Sequence, residues 1–320
     1  MSVLVIIEHD RGNLSTASLE ALAAARTLDS DVHGLTLGAA ADAVAPTLAA
    51  HGAGTVHQVH DPLLDDFGPE AWGEAVVQAV RTLSPSSVLA CGTDRGNEVL
   101  AQAAARLDLP MVANCTTIDT SDDAWDVTRV RWGGSLLERC TLTAPVKLVS
   151  MAHHTFEPSE SPAPGTVASL TVDLDPSLAR TMVTERVERA AGVTLGTAPL
   201  VVGGGRGVGS AEGFAPLEEL AGELGGVVGC SRAVTNNGWR NHTDQVGQTG
   251  TRIAPDLYIA CGISGAIQHW VGAMASRTIL AINTDPEANM VTKADYAVIG
   301  DLHKVVPAIT AEVRRRRGAA

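Results

Sequence analysis

The sequence predicts two α/β domains, each a largely parallel sheet covered by helices. Three observations carry this expectation. Short apolar, β-rich runs alternate with Ala- and Leu-rich stretches at helical spacing along the chain, the rhythm of strand–helix–strand units. The length of 320 residues is enough for two domains. The one Pro- and Ser-rich cluster, Glu157 to Gly165, falls near the middle of the chain. The expected organisation is therefore a first domain over 1–156, a linker over 157–168 and a second domain over 169–320.

VLVIIEH is a continuous apolar run, suited to a strand buried on both faces. A helix over Ser15 to Leu28 follows, with Leu19, Leu22, Ala23 and Arg26 at helical spacing. The cycle repeats with HGLTLG and a helix near Ala39 to Ala50, TVHQVH and a helix near Glu70 to Leu83, and SSVLACG and a helix over Asn97 to Leu107. MVANCTTI continues the sheet. From Trp125 to Thr143 polar and apolar residues alternate around Gly133-Gly134, a hairpin that closes the sheet's edge. In the second half a strand at SLTVDL and a helical connector precede APLVVGGGRGVGS, a helix near Ala215 to Leu224, and GGVVGCSR. DLYIACGISGAIQHW, RTILAIN and ADYAVIGDLHKVVPAI complete the series.

Composition excludes several classes. A net charge of −13 argues against nucleic acid, whose phosphates need a basic face. The basic run Arg314 to Arg317 reads as a solvated helix end with its cations near the last carbonyls. Five cysteines, scattered with neither a CxxC nor a Cys/His ligand spacing, fit a reducing cytoplasm. The start has no basic leader, and no stretch reaches the length of a membrane helix, so no stable membrane insertion is expected.

In parallel α/β sheets, ligands sit outside the carboxyl ends of the strands. GGGRG follows a strand there, but Val208 stands where a strict GxGxxG would place its last glycine, and no GK[ST] is present. The next strand ends in Ser231-Arg232, where a nicotinamide fold would place an acid on the ribose. Arg206 and Arg232 instead bring two guanidinium groups to adjacent strand ends, suited to an anionic ligand. In CGISGAIQHW, Gly262 makes a turn, Ser264 reads as an N-cap, and Gly265 lets backbone come close at a helix start. Gln268 and His269 follow one turn in, and a lone histidine there is equally well a satisfied core residue. QVGQTG gathers amide and hydroxyl donors, among them Gln248 and Thr249, between glycines. Asn283 and Asp301 are polar tips at two further strand ends, and Asp301 doubles as an N-cap for the last helix. Trp72, Trp125, Trp239 and Trp270 read as core or interface. His153-His154 has no third ligand nearby in sequence and reads as a strand end, so no metal site is expected.

GGGRG, CSRAV, DQVGQTG, APDLYIACGISGAIQHW, AINTDPEA and ADYAVIGDLHKVVP together resemble the electron transfer flavoprotein α subunit family, and the first half resembles it more loosely. The resemblance implies a heterodimer with a β subunit, a C-terminal domain that holds FAD, and an N-terminal Rossmann-like scaffold that has lost its own nucleotide site and docks the partner. It implies Arg232 beside the isoalloxazine, Thr249 donating to flavin N5 and His269 near the C2 carbonyl. Ser231, Gln248, Ser264, Gly265 and Gln268 would line the flavin, ribityl and pyrophosphate path. Asn283 and Asp301 would meet the adenosine end, with Arg206 nearby. The implied role is that of an electron carrier without a substrate of its own, taking electrons from flavoprotein dehydrogenases and passing them to a quinone oxidoreductase or another acceptor. Three rivals stand beside it: a subunit of an electron-bifurcating complex using NADH, an autonomous FAD- or NAD(P)-dependent oxidoreductase, and a purely structural binding protein, which would leave Arg206, Arg232, Thr249 and His269 unexplained. The chain departs from the usual family text at Val234 to Gly238, in the polar loop RNHTD and in RWGGSLLE.

Overall fold

The computed structural model describes residues 2–121, 124–134, 136–184 and 193–318. The chain divides into two compact units, Met1–Trp132 with Leu136–Glu188, and a second built on Arg189–Ala320. The α/β class expected from the alternating pattern holds in both.

The first unit runs β1 (Val3–Ile6), a tight hairpin of β2 (His9–Asp10) and β3 (Asn13–Leu14), α1 (Thr16–Leu28), β4 (Val32–Leu37), α2 (Ala45–Ala50), β5 (Thr55–Val59) and α3 (Pro69–Leu83). It continues with β6 (Ser87–Cys91), α4 (Asp94–Leu107), β7 (Met111–Ser121), β8 (Ala124–Arg131), β9 (Leu136–Thr143), β10 (Lys147–Met151) and β11 (Thr166–Ser169). Nine strands form one sheet in the order β11-β5-β4-β1-β6-β10-β7-β8-β9. The pairs from β11 to β7 are parallel, and the expected hairpin β8–β9 adds the antiparallel edge. Every residue of β1 is buried because helices cover both faces. One core packs Trp72, Val76 and Leu100 of α3 and α4, and the other packs Leu22 and Leu48 of α1 and α2. Each fully buried aliphatic side chain of this kind contributes about 1.5–3 kcal/mol.

Three local expectations need correction. The helix expected over Ala39 to Ala50 is a 3-10 turn, Ala39–Val44, followed by α2, because Pro46 lacks an N–H and fits the first turn of a new helix. Helix α4 begins at Asp94, ahead of the expected Asn97, since Thr93 Oγ1 caps it by accepting from Gly96 N at 2.9 Å. The segment expected as a linker is bound to the first unit. Ser161 N and Ala163 N donate to Ala50 O and Ala49 O at 2.8 and 2.9 Å, and Thr166–Ser169 pairs in parallel with β5. Leu170 and Leu174 then enter the first core, so the first unit extends well past 168. The helical connector expected between SLTVDL and APLVV falls partly on 185–192, outside the described residues.

The second unit runs β12 (Leu200–Gly204), α5 (Ala215–Leu224), β13 (Val227–Cys230), α6 (Arg232–Asn236), β14 (Leu257–Cys261), α7 (Ile267–Ala273), β15 (Ile279–Asn283), α8 (Asn289–Lys293), β16 (Tyr296–Ile299) and α9 (Leu302–Gly318). Its five strands are all parallel, in the order β13-β12-β14-β15-β16. Numbered within the unit this is 2-1-3-4-5, a doubly wound sheet whose direction reverses between β12 and β14. Helices α5 and α9 pack on one face around Phe214, Leu217 and Val306, and α7 and α8 on the other around Tyr258, Ala273 and Met290. Among the described residues, no helix is long and apolar enough to cross a membrane.

Candidate functional site

Because all five strands of the second sheet are parallel, their carboxyl ends share one edge. The order reverses between β12 and β14, which makes the loops that follow these two strands the place on that edge where ligands of doubly wound sheets sit. Close backbone contacts stitch the two loops together. Gly205 N donates to Cys261 O at 2.8 Å, and Gly207 N to Gly262 O at 3.1 Å. A Cβ on Gly205 would lie 2.2 Å from Gly262 O, so glycine is required by the approach itself. Gly265 has φ of 74° and backs onto Met290 N, which likewise leaves no room for a side chain.

Around this edge stand most of the residues expected from sequence. Arg206 and Arg232 are exposed at the first position after the turns of β12 and β13. Ser231 is buried, is the N-cap residue of α6, and donates its N–H to Gly204 O at 3.0 Å. Arg232 therefore opens a helix, where the macrodipole disfavours a cation. Among the described residues neither arginine forms an ion pair. Ser264 is exposed between Gly262 and Gly265, with Gln268 exposed in the first turn of α7. Ser264 does not cap that helix, because its N-cap residue is Ala266.

The polar loop carrying Gln248 and Thr249 lies against α7. Gln248 N donates to Gln268 O at 2.8 Å, and Gly247 and Gly272 meet backbone to backbone. Thr249 is exposed, and its hydroxyl accepts from Gln245 Nε2 at 3.0 Å. Gln245 is 2% exposed and its Oε1 accepts from Thr235 at 2.7 Å, which makes it the residue that positions Thr249. Gln245→Leu is expected to cost about 1–2 kcal/mol in urea unfolding, while Thr249→Ala costs less than half of that, because only the first strips partners from a buried chain of bonds. The polar loop after Trp239 is ordered by Arg240, which pairs with Glu218 at 2.6 Å and Asp244 at 3.0 Å and lies over the Phe214 ring.

Three expected residues are engaged within the chain. Asp301 Oδ1 accepts from His303 N at 3.0 Å, the N-cap role that its position at the start of α9 allows. Asn283 Nδ2 donates to Ile263 O at 3.0 Å, and its Oδ1 accepts from Asp285 N at 3.1 Å. His269 is 6% exposed and turned toward the sheet, its Nε2 bonded to the Tyr258 hydroxyl at 2.8 Å. Its Nδ1 is buried without a hydrogen-bond partner. Burial pushes its pKa down to about 4, against an opposing contribution from the Val246 backbone, so the imidazole is neutral at physiological pH. Sequence reasoning missed Gln245 and Tyr258 as the supports behind Thr249 and His269. Gln245 opens the donor cluster QVGQTG, but nothing local marks it as the buried member, and a tyrosine in an apolar strand is ordinary text.

Burial pushes the thiols of Cys230 and Cys261 up to about 12, so neither is a nucleophile that would attach a ligand covalently. In the first unit the corresponding reversal lies between β1 and β6. Its cavity, lined by Glu8, Phe67, Trp72 and Arg95 among others, is only about 10 Å³.

A doubly wound sheet whose carboxyl edge carries glycine-stitched turns, two exposed arginines and exposed hydroxyls and amides has the architecture of a nucleotide-binding unit. The chain belongs to the electron transfer flavoprotein alpha subunit family. The electron transfer flavoprotein domain matches residues 3–177, and the electron transfer flavoprotein FAD-binding domain matches residues 194–274. Electron transfer flavoprotein subunit alpha of Bacillus subtilis is 36% identical, covering 98% of this chain and 97% of that protein. The subunit of the same name from Thermoanaerobacterium thermosaccharolyticum is 35% identical over 98% of both chains. Protein FixB of Bradyrhizobium diazoefficiens is 35% identical over 98% of this chain and 89% of that protein. FAD is thus the cofactor of the second unit, and the chemistry of the strand-end edge suits it: close backbone turns, exposed hydroxyls and amides, two exposed arginines, and no low-pKa cysteine in the described residues of that unit.

Proposed function

We propose that this chain is the α subunit of a heterodimeric electron transfer flavoprotein, which accepts electrons from flavoprotein dehydrogenases and delivers them to a quinone oxidoreductase or another acceptor, without a substrate of its own. The observation that carries this reading is the placement of Arg206 and Arg232. Two exposed guanidinium groups end adjacent strands without an ion pair among the described residues, and one of them opposes a helix dipole. Such an arrangement is compensated by a bound anion.

FAD supplies one-electron chemistry when bound. This chain's residues supply the setting. Arg232 would hold positive charge beside the isoalloxazine, Thr249 would donate a hydroxyl proton to the ring, and Gln245 would hold that hydroxyl in place. Ser231, Gln248, Gly262, Ser264, Gly265 and Gln268 would line the path from ring to pyrophosphate. Arg206, Asn283 and Asp301 would stand toward the adenosine end, the last two held rigid by their own turns. His269 would stand near the C2 carbonyl as a neutral group braced by Tyr258. Non-covalent binding follows from the buried, high-pKa thiols.

Co-expression with a β subunit should give a yellow heterodimer whose flavin is released to the supernatant by acid precipitation. A flavin-saturated, monomeric α chain, or flavin that stays with the precipitate, would contradict the reading. Arg232→Ala should lower the first one-electron potential by on the order of 60 mV, a tenfold change in the equilibrium, because a nearby cation favours the reduced, more negative ring. Arg232→Lys should recover only part of this, since a compact ammonium lacks the planar guanidinium face. Spectroelectrochemical titration of the three proteins checks it, and an unshifted potential with FAD still bound would remove Arg232 from the site.

A further inference from the structure

The turn after β10 holds His153 and His154 side by side, and α1 brings Glu20 up to them. Successive residues of an extended chain point to opposite sides, so adjacent imidazoles share a face only where the backbone turns. It turns here. His154 has φ of 59°, a left-handed conformation that is unfavourable for a residue other than glycine. The two ring centroids stand 4.7 Å apart.

Glu20 Oε1 lies 3.6 Å from His153 Nδ1 and 3.7 Å from His154 Nδ1. Both distances are too long for hydrogen bonds. They are close to the ~3.3–3.5 Å that separates two ligand atoms each bound at about 2.0–2.1 Å to one tetrahedral ion. One ligand atom from each of the three residues falls within a 4.8 Å cluster. The Glu20 side chain is 9% exposed, and its Oε2 accepts the His154 N–H at 2.7 Å, which leaves Oε1 facing the imidazoles. His153 Nδ1 is buried without a hydrogen-bond partner. His153 Nδ1, buried without a hydrogen bond, faces the Glu20 carboxylate across 3.6 Å, and a cation between them would give that nitrogen a partner.

We propose that Glu20, His153 and His154 bind one divalent first-row transition ion of the zinc type, with water in the fourth position. Two imidazoles and one carboxylate suit such an ion, whereas calcium and magnesium call for oxygen ligands in larger number. The histidine side chains, 29% and 25% exposed, leave an approach from solvent. Sequence spacing hides the site because Glu20 lies 134 residues from His154.

The test is a titration of the metal-stripped full chain with zinc alone, in competition with a chromophoric chelator. One site per chain is expected, with a dissociation constant below about 10 μM near neutral pH and weaker binding in acid, where protons compete for the imidazoles. His153→Gln, His154→Gln and Glu20→Gln should each weaken it at least ~10-fold, and His60→Gln, at an exposed histidine elsewhere, should leave it unchanged. Circular dichroism checks folding. If Glu20→Gln fails to fold, the two histidine variants, in a surface turn, decide. No uptake in this range, equal uptake by the histidine variants, or loss on His60→Gln would overturn the proposal.

Discussion

Between pH 6.5 and about 4, one side chain, His269, is expected to remove about 3 kcal/mol of stability from the second unit. The imidazole is enclosed between Tyr258, which bonds its Nε2, and the backbone at Val246, and burial holds its folded-state pKa near 4. In the unfolded chain the same group takes up its proton near pH 6.5. Across that window the unfolded state therefore binds one proton more than the native state, so stability is fully present above pH 6.5 and falls as the pH falls toward 4. Urea unfolding of wild type and His269→Gln across this range isolates the effect. Glutamine keeps a polar partner for Tyr258 but cannot titrate, so the variant should show a slope smaller by one proton. Identical slopes would mean that the ring is protonated in the native state or open to water.

What the amino-acid text made legible differs between backbone and contacts. Helix α5 was readable to the residue, because Pro216 opens it and Gly225, in the left-handed conformation with φ of 71°, closes it. The order of strands in the second sheet put Arg206, Ser231, Arg232, Gly262 and Ser264 on one edge, as the strand-end rule requires. The Pro/Ser cluster misled, since composition alone does not distinguish a linker from a strap whose N–H groups are bound by a neighbouring helix and strand. His269 was ambiguous because a histidine on an apolar helix is compatible with either a core or a ligand position, and no local pattern predicts the Tyr258 hydroxyl that holds its Nε2. Asp301 held both of its readings until the His303 N–H was seen to occupy one oxygen. The contribution of Glu20 to the histidine pair was invisible for a different reason, a sequence separation that no local pattern spans.

Gly272→Ala is expected to destabilise the second unit by about 2 kcal/mol and to strip its FAD, although alanine is the better helix former. The residue lies inside α7, where Gly to Ala alone would gain up to ~1 kcal/mol. Space decides against it. A Cβ at this position would lie 2.3 Å from Gly247 Cα and 2.4 Å from Gly247 N, contacts to backbone that no rotamer change relieves. Helix α7 would have to move away from the loop by more than an ångström, about the excess needed to restore van der Waals separation. That movement breaks the Gln248 N to Gln268 O bond, displaces Thr249, and opens the Ile253 N to Gly272 O bond as well. Overpacking against rigid backbone thus outweighs the propensity gain roughly threefold. Gly222→Ala supplies the control, because this residue is exposed on α5 and a Cβ there meets nothing within 4 Å. It should stabilise by about 0.4–1 kcal/mol and leave FAD content unchanged. Thermal unfolding and flavin absorbance of both variants in the assembled protein measure the contrast. A Gly272→Ala protein as stable and as yellow as wild type would show that α7 and the loop do not pack as closely as the two glycines permit.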